Sequence, residues 1–103
     1  MMQREAYQQK LEAKLDRWRA EIDKLRAQVT EAGGDAKIEY QRDLEALSLR
    51  QKHAEEKFAV LKQTRNETWD AARTSVESVT HTLEQKVNRF KAKLEQAGEK
   101  VAG

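Results

Sequence analysis

The stretch "VTEAGGDAKIEY", residues 29–40, places two adjacent glycines inside a chain that otherwise has the residue pattern of helix from end to end. Whether the backbone turns at Gly33 and Gly34 or runs straight through them decides the fold. The local chemistry fits a turn. Ala32 is able to end one helix, either glycine accommodates a left-handed residue just past that end, and Asp35 is a suitable cap for the next helix.

The apolar phase argues the other way. On the N-terminal side Tyr7, Leu11, Leu15, Trp18, Ile22, Leu25, Val29 and Ala32 follow steps of three and four, which make one narrow helical seam. On the far side Ala36, Tyr40, Leu44 and Leu47 continue it without loss of phase, needing only three successive steps of four between Ala32 and Leu44. A turn has no need to keep phase, and two helical glycines cost roughly 2 kcal/mol relative to alanines, an amount a long packed seam absorbs. Phase continuity therefore tips the expectation towards one continuous helix, with Gly33 and Gly34 as its hinge.

Further along, Gln51 is a polar break in a seam that resumes with Ala54, Phe58 and Leu61. The segment "LKQTRNETWD", residues 61–70, contains weak helix formers, and Arg65 falls on the seam, so a break is expected here. Thr64 with Glu67 fits a capping box, with Asn66 as an alternative cap. A third run carries Trp69, Ala72, Val76, Val79, Leu83, Val87, Phe90 and Leu94, and Gly98 is placed to stop it within a frayed "AGEKVAG" tail. The three runs, at about residues 3–32, 35–63 and 66–98, each span roughly 45 Å as helix.

Composition agrees with a single all-α domain over residues 1–103, a long-helix coiled coil or helical bundle in which the third run folds back on the continuous first helix as a hairpin. Charged residues make up 37% of the 103 residues and proline is absent, a balance that favours long helices over sheet. The 20 Lys and Arg nearly cancel the 18 Asp and Glu, so no global field drives binding to DNA or an anionic membrane. The N-terminal residues lack the apolar stretch of a signal peptide, and no segment is long and apolar enough to span a bilayer, which makes the cytoplasm the default location.

Catalytic and ligand motifs are not evident. Without cysteine there are no thiolate ligands, and neither His53 nor His81 has the Glu-x-x-His spacing of a di-iron bundle. Glu77 and Glu84 flank His81 at helical spacing, but a solvated helix face accounts for that arrangement better. "AGGDA" lacks the Lys-Ser/Thr of a phosphate loop. No enzyme activity, cofactor or metal is expected. The one basic concentration is Lys86, Arg89, Lys91 and Lys93, with no acid from Gln85 to Leu94. It is a candidate contact for anionic surfaces, set against a favourable charge distribution at a helix C-terminus.

The stretches "REAYQQKLEAKLDRWRAEIDKL", "DAKIEYQRDLEAL" and "TWDAARTSVESV" together resemble a group of short, uncharacterised bacterial coiled-coil proteins with an apolipoprotein-like helical pattern. In that group the region before "DAKIEY" usually carries Ala, Lys and Asp in place of the glycine pair. The resemblance thus implies a continuous helix through this region and a break near "TRNETW", and it brings no established activity.

The expected protein is a non-enzymatic, self-associating scaffold or protein-interaction module, its partner a second copy arranged antiparallel. Leu11, Leu15, Trp18, Ile22, Leu25 and Val29 would form the intermolecular seam, covered by Trp69, Val76, Val79, Leu83 and Phe90. The alternative is an amphipathic-helix protein that opens and binds lipid or membrane surfaces reversibly. Specific nucleic-acid binding is not expected.

Overall fold

The computed structural model describes residues 2–31, 34 and 36–102, which form three helices: α1 (Met2–Glu31), α2 (Ala36–Gln63) and α3 (Trp69–Ala102). Their principal extents are 55 × 20 × 17 Å, with a Cα radius of gyration of 16.4 Å. A continuous helix over residues 2–63 would be roughly 90 Å long at about 1.5 Å per residue. The long axis instead matches a single helix, so the chain reverses at both connections.

The expectation of one continuous first helix is corrected here. Gly34 adopts φ +83°, the left-handed region that costs an L-residue strain and glycine little, and its carbonyl accepts a hydrogen bond from Lys37 N at 3.3 Å. Ala32, Gly33 and Asp35, the other residues assigned to this turn or hinge, lie outside the described residues. The phase that suggested a straight helix has a different origin: both helices put one apolar stripe against a common core.

Antiparallel packing of α1 on α2 is fixed by cross-helix polar contacts. Arg26 donates to Ser48 Oγ at 2.8 Å, Arg19 pairs with Glu55, and Gln51 Nε2 donates to the Leu15 carbonyl at 3.0 Å. Gln51 is only 5% exposed, so the polar break in the middle stripe is a buried inter-helix hydrogen bond and not a gap in the core. α3 returns along α2, bringing Phe90 edge-on to Tyr40 with ring centroids 6.0 Å apart and Lys93 to within 3.0 Å of Asp43. α1 and α3 consequently run parallel, and each packs chiefly on α2.

The core follows the sequence stripes: Leu11, Leu15, Trp18, Ile22, Leu25 and Val29 from α1; Tyr40, Leu44, Leu47, Ala54, Phe58 and Leu61 from α2; Val76, Leu83, Val87 and Phe90 from α3. Tyr7, Trp69, Ala72, Val79 and Leu94 pack against it at the edges.

Two helix boundaries differ from expectation. α3 begins at Trp69, and the residues assigned to a cap have other partners: the Thr64 hydroxyl donates back to the Val60 carbonyl at 2.6 Å, and Asn66 Oδ1 accepts from Arg4 at 2.7 Å. Arg4 also donates to the carbonyls of Leu61 and Thr64. A guanidinium from α1 therefore holds the end of α2, where local hydroxyl capping was expected. At the other terminus α3 continues through Gly98 to Ala102, because one helical glycine costs only about 1 kcal/mol and no proline follows to enforce a stop.

Candidate functional site

The assembly seam expected from the sequence lies inside this single chain. All six α1 positions are buried, Trp18 the least at 8% exposed, and Val76, Leu83 and Phe90 meet them in the same core. Trp69 and Val79 sit at its edges. Trp69 packs edge-on to Tyr7 with centroids 5.5 Å apart, while the guanidinium groups of Arg4 and Arg73 stand 5.6 and 5.4 Å from its ring centre. This aromatic and cationic cluster joins the start of α1 to the start of α3.

Where α1 and α3 run side by side they leave a groove of about 470 Å³ floored by Leu11 and Thr80. Its α1 wall carries Lys10 and Lys14, and its α3 wall carries Glu77, His81 and Glu84. Tyr7 donates its phenol hydrogen to Glu77 at 3.1 Å. Burial, first, and then the negative charge and hydrogen bond of Glu77 push the Tyr7 phenol up to about 12 from 10.0, with Arg73 opposing. The Thr80 hydroxyl is buried without a hydrogen-bond partner among the described residues. His81 does share this groove with Glu77 and Glu84, but no group of three ligands arranged for a metal ion occurs among the described residues. His53 is exposed on α2.

The four bases singled out in α3 divide between two neighbours. Lys91 reaches across to Glu21 of α1 at 2.9 Å. Lys93 instead pairs with Glu39 and Asp43 of α2, whose hydrogen bonds raise its pKa above the ordinary lysine value. Lys86, Arg89 and Lys93 line a second groove, between α2 and α3, of about 280 Å³. Arg50 joins them from α2, and Leu47 and Phe90 form its floor.

Helical periodicity explains this division. Glu77 and Glu84 are seven residues apart and fall on the α1 side of α3, whereas Lys86, Arg89 and Lys93 recur at three and four on the α2 side. The α1 flank of α3 therefore carries Glu77 and Glu84 with Lys91 one heptad further on, and the α2 flank carries Lys86, Arg89 and Lys93, although the chain as a whole is nearly neutral.

Sequence reasoning missed four surface residues. Arg50 adjoins the seam at Gln51, and its neighbour across the groove is set by tertiary packing alone. Ile38, Leu49 and Val60 are large aliphatics left 61%, 64% and 61% exposed on α2. Their signal was present as off-seam aliphatics at intervals of eleven residues, close to three helical turns, which puts them on one line along the helix. No helix among the described residues is long and apolar enough to cross a membrane. No protein-family model, curated protein or solved structure matches the chain, so its likeness to other proteins supplies neither a fold family nor an activity.

Proposed function

We propose that the chain is a non-enzymatic helical interaction module that self-associates by exchanging α1 between two copies. The observation that supports this reading is the left-handed Gly34 between two stripes of unbroken apolar phase, Val29 on one side and Tyr40 on the other. Straightening that turn would carry α1 away from its own α2 and onto the α2 and α3 of a second chain, remaking the same side-chain contacts. The closed monomer and the exchanged antiparallel dimer would then differ mainly in the hinge. Protein concentration would set their ratio.

The exchange is tested by light scattering after size exclusion, over a range of concentrations and after partial unfolding and refolding. Replacing both Gly33 and Gly34 with alanine disfavours the left-handed turn and should enrich the dimer, and adding Leu25→Asp should abolish it. A chain that remains monomeric throughout, including the double alanine variant, would remove self-association from the account.

A further inference from the structure

We infer that the closed bundle docks side-on to an anionic membrane surface through the α2–α3 face. The basis is a juxtaposition: an aligned row of exposed aliphatics runs along the crest of α2, and Arg50, next in sequence to Leu49, opens onto a groove that α2 and α3 line with four cations.

Isolated exposed aliphatics are normal on a protein surface. Ile38, Leu49 and Val60 differ in their alignment, since eleven-residue intervals return them to nearly the same face over roughly 33 Å of helix at about 1.5 Å per residue. Such a row is rigid and straight, and suits a flat partner longer than any small ligand.

The flanking charge specifies that partner's sign. Arg50, Lys86 and Arg89 line the neighbouring groove and have no ion pair among the described residues. Asp43, the acid at this groove, is engaged by Lys93. The acids Glu77 and Glu84 face the opposite groove, and the exposed α2 acids Glu45 and Glu56 share the crest with Leu49 but lie outside the lining of this groove, which keeps a cationic excess. Near an anionic leaflet each cation contributes favourably, while shallowly inserted aliphatics anchor the contact. A nucleic acid would use the cations but gains little from three exposed aliphatics, which favours a lipid surface.

The closed state distinguishes this docking from a bundle that unfurls on lipid. The docking residues are already at the surface, whereas lipid binding by the inner face of α1 would require Trp18, 8% exposed, to leave the core.

The test is co-sedimentation of the full chain with phosphatidylcholine vesicles, with and without about one third phosphatidylserine. Binding is expected at low salt to the anionic vesicles only. R50E, K86E and R89E combined should weaken it by about a hundredfold, and the neutral R50Q, K86Q and R89Q set by a smaller factor. I38S, L49S and V60S combined should weaken it about tenfold, with helicity checked for every variant by circular dichroism. In a Trp69→Phe background Trp18 is the sole tryptophan, and its emission should not change on docking.

Absence of binding to anionic vesicles overturns the proposal, as does binding that the charge reversals leave intact. Full binding by the serine variant would make the face a general anion site and overturn its assignment to lipid. A shift in Trp18 emission would show the bundle opening, contrary to the closed-state docking.

Discussion

Gly34 has φ +83° and open space where a Cβ would stand, so an added methyl group meets a backbone penalty without a steric clash. Gly34→Ala should lower monomer stability by about 1 kcal/mol in chemical denaturation, and Gly34→Asn by less, because asparagine tolerates the left-handed region better. Leu25 is a larger determinant: it is 2% exposed, and Leu25→Asp should cost more than about 3 kcal/mol by burying an unpaired carboxylate. Unchanged helicity and melting of that variant would show that the seam is misplaced. Tyr7 provides a pH signature. Its phenol ionises near 10.0 in the unfolded chain and at about 12 in the folded one, so the folded state retains the proton longer. This contribution is complete below pH 10 and disappears as pH rises towards 12; Tyr7→Phe should flatten that part of the stability–pH curve relative to the parent chain. The α1, α2 and α3 core positions were legible as residues because spacings of three and four admit one buried stripe per helix. The Tyr7–Glu77 hydrogen bond was not, since the partners are seventy positions apart and depend on which helices become neighbours.

At the scale of elements, the two connections are built differently. The first relies on a glycine, while the second is held from outside, with Arg4 of α1 donating to carbonyls at the end of α2 and to Asn66. Arg4→Ala should therefore accelerate amide hydrogen exchange around residues 64–68 while leaving the middle of α2 protected. Equal protection in the variant would mean that the turn sustains itself. The middle of the bundle carries a buried amide, Gln51, with one hydrogen bond to Leu15 and its Oε1 unpartnered among the described residues. Gln51→Leu should be neutral or slightly stabilising while loosening the α1–α2 register, by the same logic that lets one buried polar residue fix register in packed helices. Helix extents were largely readable because breakers are few, and the second break was readable from Thr64, Arg65 and Asn66. Its capping was not, because the decisive donor came from the first turn of another helix. At the glycines phase misled the reading: a stripe that continues in register is equally the mark of two helices returning to one core.

For the whole molecule, the parallel placement of α1 and α3 sorts a nearly neutral sequence into a groove of mixed charge on one side of α3, with lysines on the α1 wall and acids on the α3 wall, and a cationic groove on the other. Composition could not disclose this, since net charge discards position. The basic residues of α3 were visible in sequence, but their division, with Lys91 turned to Glu21 and Lys86 and Arg89 left beside Arg50, follows from packing. The chain closes at Gly34 into a short bundle. Small-angle X-ray scattering with a simultaneous mass determination, at low concentration, tests it most directly. The closed chain predicts a monomer with a backbone radius of gyration near 16.4 Å and a longest dimension near 55 Å, apart from the hydration shell. A rod of roughly 90 Å at the lowest concentration, the length of a continuous helix over the first two segments, would contradict it.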